Sequence, residues 1–129
     1  MTREVTLVLL ALVAFELKHF FCDFAVQTLR QVQEKGVYGR RGGIEHAGLH
    51  AITSIPPLLI LTRAPQVIAA FVAGEFVLHY HVDWAKAQID RVFKLTVADQ
   101  AYWAIFGLDQ LIHQLTYFAM VWAVVAYRL

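Results

Sequence analysis

The chain has a single cysteine, Cys22, so it can build neither an intramolecular disulfide framework nor a cysteine-based zinc finger. Charge is also scarce: Asp, Glu, Lys and Arg make up 16% of the residues, and the formal net charge is +1. So small a balance offers no electrostatic footprint for nucleic acid. There is no low-complexity tract. A cleavable signal peptide is not expected either, because the apolar stretch from Val5 to Phe15 runs into Glu16-Leu17-Lys18-His19 without a small-residue cleavage site. Apolar side chain is what the sequence has in excess. It is 59% hydrophobic over 129 residues, with a mean hydropathy of +0.54. A soluble domain of this size has too small a core to hide that much apolar surface, so lipid is expected to solvate much of it.

A helix needs about 20 mostly apolar residues to cross a hydrocarbon core ~30 Å thick. Four stretches approach this, at about 5–28, 44–61, 65–89 and 102–127. The expected fold is all-α: one integral membrane domain, 1–129, built as a polytopic four-helix bundle. Pro56-Pro57 lies inside the second stretch and predicts a kink or break there. Arg30 to Gly43 reads as a loop, Thr62 to Pro65 as a tight turn, and Arg91 to Ala101 as an interfacial connection followed by Tyr102 and Trp103. Basic residues set the expected topology. Arg30, Lys35, Arg40, Arg41, Lys86, Arg91 and Lys94 fall on one side, against Arg3, Arg63 and Arg128 on the other. The positive-inside rule then places both large connections in the cytoplasm and both termini outside it.

Residues four apart on an α-helix share a face. Every expected span carries one such polar pair: His19 and Asp23, His46 and His50, His79 and Asp83, Asp109 and His113. Given the topology, all four pairs fall in the cytoplasmic half at similar depth. Ionisable groups in a membrane are costly, and normally face a bundle interior, pair with one another or line a pathway. Imidazole and carboxylate are the usual ligands of zinc, iron and manganese. The eight residues are therefore candidate metal ligands. Their number exceeds the needs of one tetrahedral zinc, so two divalent ions, zinc or iron, are expected, with Asp83 or Asp109 bridging them. Lys86, Glu16 and Glu75 extend the same faces and are the candidate catalytic residues. Gln27 and Gln110 are candidates to orient a ligand.

Each feature also has a plainer reading. A lone membrane His or Asp is more often a hydrogen-bonded helix contact than a ligand. Glu16 and Glu75 are equally readable as protonated, hydrogen-bonded carboxyls. Lys35, Lys86, Arg40 and Arg41 serve first as topology determinants. His81 and Cys22 lie off the polar stripes; His81 reads as an interfacial or packing residue and Cys22 as packing.

The motifs His19-Phe20-Phe21-Cys22-Asp23-Phe24-Ala25-Val26-Gln27, Lys35, His46-Ala47-Gly48-Leu49-His50, His79-Tyr80-His81-Val82-Asp83-Trp84-Ala85-Lys86 and Asp109-Gln110-Leu111-Ile112-His113 span nearly the whole chain. Through them the chain resembles the small bacterial and phage membrane proteins of domain-of-unknown-function family 3307. The resemblance implies a multi-pass protein of the bacterial inner membrane with a shared polar site. It adds weight to Gln27, Lys35, Lys86 and Gln110 as site residues, and it brings no reaction.

Three functions are expected from the site. A metal-dependent hydrolase would use two ions to activate water against a lipid or amphiphilic substrate reached from the cytoplasmic side, with Lys86 or Lys35 holding an anionic head. A di-iron oxidoreductase, like membrane desaturases and hydroxylases, is the alternative, although the paired His-His motifs of those enzymes are missing. A metal or proton transporter or sensor is the third. Against it, Leu7 to Phe15 and Met120 to Val125 offer no polar path. Whether an oligomer completes the site is open.

Overall fold

A computed structural model describes residues 2–129, and every regular element among them is helical. Helix α1 spans Arg3–Phe20 and runs into a single π-helical turn, Phe21–Ala25, closed by Val26 N–H donating to the Phe21 carbonyl at 2.9 Å. The sequence reading carried this helix on to Thr28. The chain instead leaves it at Val26, because Thr28 starts a new one. The Thr28 hydroxyl accepts from the Gln31 N–H, and the Gln31 side chain accepts from the Thr28 N–H at 2.7 Å. This reciprocal cap opens α2, Leu29–Glu34, inside the stretch expected to be a loop.

Helix α3, Arg41–Thr53, and α4, Ile55–Leu61, together form the expected second pass, broken at Ser54 rather than at the prolines themselves. Pro56 and Pro57 supply no N–H, so they fit only the first turn of a new helix. Ser54 N–H turns back to the Ala51 carbonyl, leaving the His50 carbonyl free for side chains. Helix α5, Pro65–Phe93, and α6, Gln100–Tyr127, are the longest, each starting and ending within a few residues of its expected limits. Between them Asp99 accepts from the Thr96 backbone N–H at 2.7 Å, which holds its carboxyl below the usual carboxylate range.

Helix α3 packs on α5 and α2, α1 on α4, and α6 on both α5 and α1. Two layers result. One is apolar: Phe15, Leu58, Tyr117, Met120 and Val121, with Phe15 and Tyr117 stacked at 4.9 Å between centroids. The other lies one helical turn further along, at His19 and His113, and is polar throughout. Meanwhile Leu10, Val13, Leu17, Phe20, Phe24, Ile52, Leu115, Phe118 and Trp122 are exposed. This inverts the distribution of a water-soluble domain. Two helical stretches, Arg3–Ala25 and Arg41–Leu61, are long and apolar enough to cross a membrane.

Helix α2 and the loop after it cover the polar layer. Gly42 allows the approach of α2, since a Cβ there would lie 2.7 Å from the Arg30 carbonyl oxygen, and its N–H donates to Glu34 at 2.7 Å. The loop is tied to α5 by Gln88 donating to the Gly36 carbonyl at 2.7 Å and by Gly39 N–H donating to the Tyr80 hydroxyl at 2.6 Å.

Candidate metal centre

All five histidines of the four pairs are buried, none more than 3% exposed, and their rings touch in one cluster. His79 is its middle. Its ring centroid lies 3.9 Å from that of His50 and 4.0 Å from that of His113, and the planes are tilted by 30° and 26°. Two sets of ligand atoms converge within 4.8 Å: Asp23, His46, His50 and His79 in one, His79, Asp83 and His113 in the other. They come from α3, α5, α6 and the π turn that follows α1 and places Asp23.

The spacing within these sets is informative. Asp23 Oδ1 lies 3.0 Å from His50 Nε2 and 3.2 Å from His46 Nε2. Asp83 Oδ2 lies 3.3 Å from His46 Nε2 and 3.6 Å from His79 Nε2, while Asp83 Oδ1 lies 3.4 Å from His113 Nε2. Ligands about 2.0–2.2 Å from a tetrahedral zinc are separated by roughly 3.3–3.5 Å along the edges. The Asp83 separations have the spacing of a coordination shell, while the shorter Asp23 separations are those of hydrogen bonds.

Its hydrogen bonding is also incomplete as protein alone. Both ring nitrogens of His79 and Nδ1 of His50 are buried without a hydrogen-bond partner, while Nε2 of His113 and Oδ1 of Asp109 meet only in a long ion-pair contact of 3.5 Å; Glu75 Oε2 and Asp90 Oδ1 are the unpartnered atoms away from the cluster. Buried polar atoms are nearly always satisfied, and orphans concentrated in one place ask for a partner. Neutral imidazole nitrogens and carboxylate oxygens facing one another are suited to a divalent cation. The donor set therefore fits the expected metal.

Two of the eight expected ligands stand one step outside the converging sets. Gln110 identifies the role of His19. Its amide N–H donates to Asp23 Oδ2 at 3.1 Å, so its carbonyl oxygen faces His19 Nε2 at 2.9 Å. A carbonyl can only accept, so His19 Nε2 carries the proton, and Nδ1 accepts from the Tyr117 hydroxyl at 3.0 Å. With both nitrogens engaged, His19 orients Asp23 (3.2 Å) instead of offering a lone pair. Asp109 lies behind His113, its Oδ1 3.5 Å from His113 Nε2.

Gln27 reaches the cluster although it has left the helix, its amide lying 3.1 Å from His46 Nδ1. Lys35, at the end of α2, lies 3.6 Å from Asp83 Oδ2 and is the one partly exposed charge on the cluster, with 24% of its side chain accessible. The three expected catalytic residues fall elsewhere. Glu16 is exposed, since three residues turn a helix by about 300° and leave it some 60° off the His19 direction. Lys86 pairs with Asp90 at 2.7 Å, its ammonium 4.6 Å from the centre of the Tyr102 ring, and it meets Asp109 only across a narrow apolar groove between α5 and α6. Glu75 is buried against Lys18 at 2.5 Å. His81 is exposed and contacts Tyr38 outside the cluster, and Cys22 is buried against Thr53.

Lys18 and Tyr117 were not singled out by sequence. Lys18 spans the break between α3 and α4, donating to the freed His50 carbonyl at 3.0 Å as well as to Glu75. Its signal was available: a lysine deep in an apolar span needs a partner. Tyr117 carries no such signal, because one hydroxyl at helical spacing looks like any packed aromatic.

Comparison with protein families gives one finding: the model described as "Protein of unknown function (DUF3307)" matches residues 9–128. No curated protein and no solved structure matches the chain.

Proposed function

Because the chain belongs to the DUF3307 family, whose description assigns no reaction, we propose a function from the site itself: a membrane-embedded, metal-dependent hydrolase acting on an amphiphile. The observation that carries this reading is the convergence of Asp23, His46, His50, His79, Asp83 and His113 in one buried cluster, at whose middle both ring nitrogens of His79 have no hydrogen-bond partner. In this reading α1, α3 with α4, α5 and α6 form a multi-pass bundle in a cytoplasmic membrane, both termini outside. The support is the apolar surface these helices turn outward and the two stretches apolar enough to span.

A divalent ion bound there supplies an activated water and polarises the bond to be cleaved. The chain's own groups do the rest. Lys35, partly exposed beside Asp83, holds the anionic head of the substrate. Asp109, buried behind His113 with its Oδ1 3.5 Å from Nε2, is the group placed to take a proton, a role for which exposed Glu16 and ion-paired Glu75 are unsuited. Gln110, His19 and Tyr117 keep Asp23 in position. Transport is less well supported, because the polar layer ends against Phe15, Leu58 and Tyr117.

Metal content and ester cleavage of the purified chain in detergent test the proposal together. Bound zinc, with hydrolysis of an ester amphiphile that is lost on chelation and in Asp109→Asn, is the expected result. Protein that binds no metal would overturn the centre, and zinc-loaded protein without hydrolysis would overturn the reaction. Iron with an oxygen-sensitive visible spectrum would move the assignment to an oxidoreductase.

A further inference from the structure

The formal charges buried around the cluster can be counted. Lys18 and Glu75 neutralise each other, as do Lys86 and Asp90. Asp23, Asp83 and Asp109 remain, against Lys35 alone. With neutral imidazoles the net charge is −2, which a single divalent ion cancels.

The ligand atoms of the cluster fall in two converging sets, which share only His79. Asp83 turns Oδ1 towards His113 and Oδ2 towards His46 and His79, the posture of a carboxylate shared between two positions. Two divalent ions would leave the pocket at about +2, and uncompensated charge is strongly disfavoured at a buried site walled by apolar helices. Something anionic must accompany the second ion. A hydroxide or a carboxylate brings one charge; a phosphate monoester brings about −1.5 to −2 near neutral pH and has several oxygens to offer.

We infer that the second metal ion and a phosphate monoester group bind this site together, so that the substrate or product of the proposed hydrolase carries such a group. The inference rests on the metal-centre reading above. Lys35, beside Asp83 and partly open to solvent, lies where the remaining phosphate oxygens would emerge.

The test is equilibrium dialysis of the full chain in detergent micelles against micromolar zinc, with bound zinc counted by atomic emission. Three arms differ in the anion: acetate, inorganic phosphate, and phosphatidic acid mixed into the micelle. The expected result is about one zinc per chain in acetate, rising to about two with either phosphate source, alongside a higher unfolding temperature than zinc and acetate give. A rise with phosphatidic acid alone identifies a lipid headgroup as the source of the phosphate; a rise in both arms shows that the group itself suffices. Two ions in acetate, or one ion in every arm, would overturn the coupling while leaving the metal centre standing. No zinc in any arm would overturn the centre and the coupling together.

Discussion

At the scale of single residues, the polar layer separates groups that converge on one another from groups that hold others still. The i, i+4 spacing put both members of each pair on one face, which is why the cluster was legible in the sequence. It could not say that His19 is locked between Tyr117 and Gln110, because that depends on which amide atom faces which partner. Gln110→Leu would leave the His19 N–H and Asp23 Oδ2 without their partner. Metal affinity should fall about 10–100-fold, with binding retained, whereas His79→Ala should abolish it; zinc titration of both variants measures the difference. The Lys18–Glu75 pair makes a separate prediction. Lys18→Met strands a buried carboxylate and should cost about 3–5 kcal/mol, while Lys18→Met with Glu75→Leu should recover most of that loss. Unfolding of the single and double variants in mixed micelles checks it, and a double variant no more stable than the single one would contradict the pairing.

Elements were legible wherever hydrophobic length decided them. Helices α5 and α6 end near their expected limits, and the proline pair announced the interruption between α3 and α4. The π turn at Phe21–Ala25 was not visible, because one extra residue in a helical turn leaves no trace in composition. Nor was α2, whose polar surface resembles a loop and whose cap depends on two side chains three residues apart. These two unforeseen elements do much to shape the site, since one carries Asp23 and the other brings Lys35 to Asp83. Gly42 decides whether α2 can lie against α3. Gly42→Ala should force α2 away from the Arg30 carbonyl contact and cost about 1–3 kcal/mol. Hydrogen exchange would show the loss in Leu29 to Arg40; uniform protection there would argue against it.

For the molecule as a whole, the proposed membrane arrangement rests on the apolar side chains turned outward, and the distribution of Lys and Arg gives that proposal a sidedness. Cysteine accessibility in intact and inverted vesicles reads it directly. Arg40→Cys and Val97→Cys should react from the cytoplasmic face and Arg63→Cys from the opposite one, while Cys22, 2% exposed, contributes little background. Labelling of all three from one side would refute the multi-pass arrangement. The residue where the helices meet has a consequence of its own. His79 is faced by His50 from α3 and by His113 from α6. A half-turn of its ring would sweep through both neighbours, so Nδ1 and Nε2 exchange places only when the packing around His79 loosens. The two sides of the cluster are therefore kept distinct in time as well as in space, for as long as that packing holds.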